Sequence, residues 1–243
     1  MGAISFSIDE NLLAFLTRAL PLKLFAETGT FKGDSLLIAR RFFERCESVE
    51  ASPELYEQAR LRFQETSGVH LHRSDSPSFL RLHQKEFAET PTLFWLDAHW
   101  CNADNTSGAA SQSPLLEELE AIGALHRDSV VLIDDARLYL CAPPEPHRFE
   151  NWPDFHSVLS ALLRLSPGHR LMILNDVLLF YPAALQGAMA EFAHRNGADW
   201  LHFVDYYRLK TSLDEKQAME RDKARHPLKH ARAALRRRFG KGE

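Results

Sequence analysis

"FAETGTFKG", residues 25–33, runs an apolar stretch into a single carboxylate, Glu27, and then into two glycines four positions apart, Gly29 and Gly33. Such a run predicts a buried strand ending in a tight turn, with a helix over 33–44 behind it. The rhythm repeats along the first 135 residues. "CESVEA" (46–51) precedes a helical pattern over 53–65, and "VHLHR" (69–73) precedes one over 77–88. "TLFWLDA" (92–98) precedes one over 114–125, and "SVVLIDD" (129–135) closes the series. Repeated strand–helix units imply parallel strands joined by right-handed crossovers and covered on both faces, an α/β doubly wound sheet.

Three of the helices follow a Ser-Pro pair, at Ser52-Pro53, Ser76-Pro77 and Ser113-Pro114. These pairs predict serine caps with proline at the first helical position, where no amide is wasted. In the fourth helix Leu115, Leu119 and Ile122 recur at helical spacing and give one apolar face for the sheet. After Asp135 come a proline-rich loop (140–146) and a helix over about 151–165 with Phe155, Val158, Leu159 and Leu162 on one face. "HRLMIL" and "VLLFYP", separated by Asn175-Asp176, then read as a β-hairpin, because both turn residues tolerate positive φ. The last strand must therefore run antiparallel to its neighbour. Helical patterns at 183–195 and 213–238 follow, giving a domain over 1–212 with its core at 20–181 and a basic tail over 213–243.

The 243 residues, 45% apolar and 26% charged, suffice for one large domain with an appendage and exclude disordered and fibrous classes. No apolar run approaches the ~20 residues of a spanning helix, and the N-terminus has no basic region leading into an apolar block, so a cytoplasmic protein is expected. Cys46, Cys101 and Cys141 lie too far apart in sequence for a CxxC zinc or redox motif. The net charge of −4 divides unevenly: residues 223–243 hold eight Lys or Arg against Glu243, leaving −11 on the rest. Such a tail is expected to be a solvated helix end or subunit contact; an anionic surface is the sharper alternative.

In open α/β sheets ligands bind outside the carboxyl ends of the strands, where strand order reverses. This sequence puts Glu27, Gly29 and Gly33 after the first strand and Glu50 after the second. Asp75 follows the third, Asp97 and His99 the fourth, Asp134 and Asp135 the fifth. The glycines would let the turn approach a ligand, Glu27 could receive a cationic or amino group, and Glu50 is placed to accept two ribose hydroxyls. A dinucleotide would prefer GxGxxG with no acid beside its pyrophosphate, whereas this loop is GxxxG with an acid before it. A nucleoside carrying an amino acid and a positive centre fits better, and that describes S-adenosylmethionine.

On these residues the chain resembles the class I S-adenosylmethionine-dependent methyltransferases over about residues 20–181. "ETGTFKG" looks like their first motif, with Phe31 in place of the usual middle glycine, Glu50 like their ribose acid and "RSDSPSFL" like their adenine-side segment. The terminal hairpin is similar to the reversed final strand of that seven-stranded, Rossmann-like fold. The resemblance implies that Glu27, Gly29, Thr30, Gly33, Glu50, Ala51, Ser74, Asp75, Ser76 and Asp97 hold the donor. "LFWLDAHW" with "VVLIDDAR" looks most like the metal-dependent macrocin O-methyltransferase group, which implies magnesium on Asp97, Asp134 and Asp135. Independently, three converging carboxylates repel one another unless protonated or neutralised, and a hard divalent cation is one remedy.

The resulting expectation is magnesium-assisted O-methylation of a small hydroxylated acceptor, a sugar or secondary metabolite, with Asp97 or His99 as base. His99 reads equally well as a metal ligand, a support for one, or a buried structural histidine. Trp95 and Trp100 are candidates to stack on substrate, Trp95 reading more readily as core, and 100–113 reads as a lid or acceptor loop. Arg137 fits either an anionic acceptor or a local acid. Two other hypotheses use the same residues: a redox metal on Asp97, His99 and Asp135, and a membrane- or RNA-associated binding protein acting through 223–243. A second copy of the chain is a further candidate partner.

Overall fold

Residues 8–100 and 112–225 are described by a computed structural model. The chain begins with α1 (Glu10–Ala19), then β1 (Leu24–Thr28), α2 (Asp34–Ala39), β2 (Arg45–Glu50), α3 (Pro53–Phe63) and β3 (Val69–Arg73). It continues through α4 (Ser76–Glu89), β4 (Thr92–Leu96), α5 (Leu115–Ile122), β5 (Val130–Ile133), α6 (Arg137–Leu140) and α7 (Phe155–Leu165). The hairpin β6 (His169–Leu174) and β7 (Val177–Pro182), α8 (Gln186–Asn196) and α9 (Trp200–Arg225) complete it. Two units part between Gly197 and Ala198, just ahead of α9 rather than at residue 213 where the charged pattern begins. Among the described residues no helix is long and apolar enough to cross a membrane.

The seven strands form one sheet in the order β3-β2-β1-β4-β5-β7-β6. β1 to β5 are parallel, while β7 runs antiparallel to both β5 and β6, as the Asn175-Asp176 turn requires. Both turn residues have positive φ, 50° and 68°. Strand order reverses between β1 and β4. The register sets Thr28 beside Val49 and Leu96, and Leu96 beside Ile133, so the carboxyl ends of β2, β1, β4 and β5 stand level. Glu50, Gly29, Asp97 and Asp134 therefore emerge along one edge.

β1, β4, β5 and β7 are buried along their whole length because each sheet face carries an apolar layer. Phe79, Phe87, Leu119, Ile122, Val158 and Leu162 pack on one face, and Leu12, Leu13, Leu16, Leu36, Phe43 and Phe63 on the other. Three of the latter come from α1, which the strand–helix rhythm had left out. Its signal lies in the Asp9 cap, whose carboxylate accepts Asn11 N–H at 2.7 Å, followed by the spaced leucines.

The three Ser-Pro pairs prove unequal. Ser52 caps α3 as expected, accepting Leu55 N–H at 3.4 Å. In α4 the cap is Asp75, which takes Ser78 N–H at 2.8 Å, and Ser76 is already helical. An ionised carboxylate is the stronger acceptor at a helix N-terminus, so the acid takes the position. α5 starts behind Pro114 without a side-chain cap, and Ser113 Oγ lies 3.1 Å from the Tyr139 hydroxyl instead. α2 is shorter than the pattern over 33–44, ending at Ala39 before turns that bring buried Phe43 onto the core.

Candidate active site

The turn after β1 is built around glycines that cannot be replaced freely. Gly29 has φ 82°, and a Cβ there would stand 2.4 Å from the Asp97 carbonyl oxygen. Gly29 and Thr30 both donate to the Val49 carbonyl, at 3.0 and 3.2 Å. Gly33, at φ 77°, starts α2 from the left-handed region, with the Phe63 ring against it. Phe31, standing where the resembled motif has glycine, is itself left-handed at φ 46°. The loop thus keeps the backbone path that the motif's glycine would ease, at about 1–2 kcal/mol of strain.

Phe31 N–H is put to use. It donates to Glu50 Oε2 at 2.9 Å, while Ser52 N–H donates to Oε1 at 2.8 Å. The carboxylate is fixed by one bond on each oxygen, which leaves a lone pair on each for further donors. Glu27 is different. It is fully buried, Ser35 Oγ donates to Oε1 and Ser48 Oγ to Oε2 at 2.6 Å, and Ser48 Oγ also lies 2.7 Å from Thr30 Oγ1. Burial lifts its proton affinity to about 8, against the two serine bonds and with a contribution from Glu50. Glu27 therefore acts on the loop through hydroxyls rather than presenting a free anion to a ligand. Neither serine was singled out in the sequence; both are reached only by folding β2 and α2 against β1.

Ala51 and Asp75 are exposed, Ser74 half-buried and Ser76 buried, all at the ends of β2 and β3. Asp75 spends one oxygen on its helix cap, and this capping bond overcomes slight burial to hold its carboxyl below the usual range. Asp97 stands at the end of β4, with its N–H on the Thr28 carbonyl at 3.1 Å and its side chain 34% exposed. Its neighbour His99 is 5% exposed and contacts Asp135 Oδ2 through Nε2 at 2.9 Å. The other ring nitrogen, 3.6 Å from Asp97 Oδ1, has no hydrogen-bond partner among the described residues. Asp135 Oδ1 takes Arg137 Nη1 at 2.6 Å, and the same guanidinium nitrogen reaches Asp176 Oδ2. Asp176, expected only as a turn residue, also accepts Arg137 N–H at 2.8 Å and ties the β6–β7 hairpin to the site.

The electrostatics follow from this wiring. Burial disfavours a charged His99, but the Asp135 bond and the surrounding acids outweigh it and lift the imidazole to about 9. Burial also opposes ionisation of Asp135, yet His99 and Arg137 hold its carboxyl down at about 2. Asp97 and Asp134 go the other way: desolvation raises both, Asp134 and Asp135 add to it at Asp97 and Asp135 at Asp134, with His99 opposing. Asp134 is 6% exposed, and its Oδ1 has no partner among the described residues.

The magnesium site expected on Asp97, Asp134 and Asp135 gains no support from the packing of the described residues. Among the described residues, their oxygens do not converge within 4.8 Å, and the same holds for Asp97, His99 and Asp135. Each oxygen of Asp135 already meets one cationic group of the protein itself, His99 on Oδ2 and Arg137 on Oδ1. His99 and Arg137 compensate Asp135, while Asp97 and Asp134 stay raised by burial and by neighbouring acids. Behind His99 stand Trp152, 5.6 Å away between ring centroids, and buried Tyr139. Trp152 Nε1–H is held by Gln112 at 3.0 Å. Trp95 is core, fully buried on β4, and Trp100 packs edge-on against His147. Most of the expected lid, residues 101–111, lies outside the described residues.

Among the solved structures similar in fold are two methyltransferases named as such. The "putative caffeoyl-CoA O-methyltransferase" from Staphylococcus aureus matches 72% of this chain and 84% of its own, at 14% identity and a TM-score of 0.50. The "putative rRNA-methylase" from Clostridium thermocellum matches 71% of this chain and 95% of its own, at 8% identity and a TM-score of 0.51. The chain has the methyltransferase fold. No family model matches it, and no curated protein matches it in sequence. At these identities the likeness carries the fold and leaves the chemistry to the residues at the strand ends.

Proposed function

We propose that the protein is an S-adenosylmethionine-dependent methyltransferase acting on a small hydroxylated acceptor. The observation that carries this is Glu50: a carboxylate anchored by Phe31 N–H and Ser52 N–H, beside the Gly29 turn and one strand from the reversal of strand order between β1 and β4. That placement suits a ribose diol, and the left-handed Gly29 admits a ligand close to backbone. The donor, when bound, supplies an electrophilic methyl group. Gly29, Thr30, Gly33, Glu50, Ala51, Ser74, Asp75 and Ser76 would line its nucleoside, with Glu27 shaping the loop from beneath.

Asp97 is the group placed to take the acceptor's proton, because it is the more exposed of the two candidate bases and its proton affinity is raised. His99, buried and cationic, holds the acid cluster together, so it positions Asp97 rather than meeting substrate. No step needs a metal ion in this reading.

Calorimetric titration of the full chain with S-adenosylhomocysteine, with magnesium and with EDTA, tests the proposal. Micromolar binding, equal in both buffers and at least tenfold weaker in Glu50→Ala, is expected. No binding to the folded wild type sinks the donor assignment. Binding that appears only with magnesium restores the metal site and overturns the roles given to His99 and Arg137.

A further inference from the structure

A cluster of metal-ligating side chains lies where β2 and the last residues of β3 pack against α4. We propose that Glu47, His72 and His83 form a binding site for a divalent ion of the zinc class, joining β2, β3 and α4. One potential ligand atom from each residue lies within 4.8 Å of the others. Two imidazoles and a carboxylate suit zinc, and three protein ligands leave a fourth tetrahedral position for water. His72 is 30% exposed, which gives solvent and ion access to the cluster.

Glu47 and His83 each have the atom not aimed at the ion already engaged. Glu47 is 2% exposed, and its Oε1 accepts Arg45 Nε–H at 2.7 Å. Arg45 is anchored in turn by Glu86 on α4. His83 Nδ1 lies 3.0 Å from the Phe79 carbonyl. A carbonyl can only accept, so Nδ1 carries the proton and, in neutral His83, Nε2 keeps its lone pair. Such outer partners orient metal-binding histidines and carboxylates. The rings are further held by packing: His83 sits between Phe79 and Phe87, with centroids at 4.7 and 5.8 Å, and meets His72 edge-on at 5.1 Å.

His72 Nε2 and Glu47 Oε2 are hydrogen-bonded at 2.6 Å. Two ligand atoms on a tetrahedral zinc stand roughly 3.3 Å apart, as bonds of about 2.0 Å require. Binding therefore requires this contact to open and the remaining ligand atoms, which lie within 4.8 Å of one another, to draw in. Neutral His72 meanwhile exchanges its ring proton through solvent from Nε2 to Nδ1, so that the Nε2 lone pair meets the ion. The competing account is a plain ion-pair cluster, in which Arg45 and His72 complete the compensation of buried Glu47. The two accounts differ in whether zinc binds, and neither depends on the methyltransferase reading.

The test is titration of the EDTA-treated full chain with zinc chloride against a chromophoric chelator, with thermal unfolding followed in parallel. One ion per chain with micromolar or tighter affinity and a higher unfolding midpoint is expected. His72→Ala and His83→Ala, checked for fold by circular dichroism, should each weaken binding at least tenfold, whereas His70→Ala should leave it within about twofold. The chain has 12 histidines, so zinc binding unaffected by His72→Ala and His83→Ala would belong elsewhere and overturn the site. Absence of stoichiometric binding would overturn it as well. Should the variants unfold, anomalous scattering from zinc-soaked wild-type crystals decides: a peak between the three side chains supports the site, and a peak elsewhere or none refutes it.

Discussion

His99 bridges the two halves of the acid cluster, bonding Asp135 Oδ2 through Nε2 at 2.9 Å while Nδ1 stands 3.6 Å from Asp97 Oδ1. One buried imidazole thus lies between the acids at the ends of β4 and β5. Its charge is worth more folded than unfolded, and this makes the cluster's stability depend on pH.

The folded imidazole titrates at about 9, against 6.5 for an ordinary histidine. Raised affinity means that His99 contributes its full stabilisation below pH 6.5 and loses it as pH rises through about 9. The contribution is at most about 3 kcal/mol. His99→Asn should therefore unfold at lower denaturant than wild type at pH 6, with the gap closing toward pH 10. Urea melts at the two pH values measure it, and a gap that widens with pH would refute the cationic assignment.

Glu27 predicts a variant that gains stability. Its carboxyl, lifted to about 8 by burial, keeps its proton in the fold well above the pH at which the unfolded chain releases it. Wild type should lose stability as pH climbs from about 4.5 through 8, by on the order of 4 kcal/mol at the upper limit. Glu27→Gln removes that dependence, so it should match wild type near pH 4.5 and exceed it at pH 9 by a few kcal/mol. Thermal melts across that range check the sign. Binding of S-adenosylhomocysteine by Glu27→Gln should stay within about fivefold of wild type, because Glu27 reaches the loop only through Ser35 and Ser48.

The two glycines of the first turn should differ in tolerance. At Gly29 an added methyl meets the Asp97 carbonyl at 2.4 Å, and backbone cannot yield without disturbing β4. At Gly33 the obstacle is the buried Phe63 ring, a side chain rather than backbone. Gly29→Ala should lose about 3 kcal/mol and its donor binding, and Gly33→Ala about 1 kcal/mol, most of it from the left-handed φ. Chemical denaturation paired with calorimetry ranks them, and equal losses would show that the Asp97 contact is not what fixes the turn.

Much of the architecture could be read from residues close together in the chain. Short β-rich runs ending in acid or turn residues marked β1 to β5. Asn175-Asp176 between "HRLMIL" and "VLLFYP" set the reversed last strand, since a two-residue turn can join only antiparallel neighbours. The acids at the strand ends were legible for the same reason: in a parallel sheet, strands read in one direction deliver their ends to one edge. α1 and the true caps of α4 and α5 were less legible, because capping depends on which nearby oxygen wins the bond.

What only the tertiary structure decided is which partner each acid finds. Glu27 gains Ser35 and Ser48, Asp135 gains His99 and Arg137, and Arg137 is shared with Asp176 from a turn 39 residues away. Glu47 meets His72 and His83 only because β2 and β3 pair in register and α4 folds back over them. Sequence determines the charge each residue can carry and the element it enters. Whether that charge is met by a proton, a hydroxyl, a guanidinium or an ion depends on burial and on atoms brought within about 3 Å from distant parts of the chain, which strand order and packing alone determine.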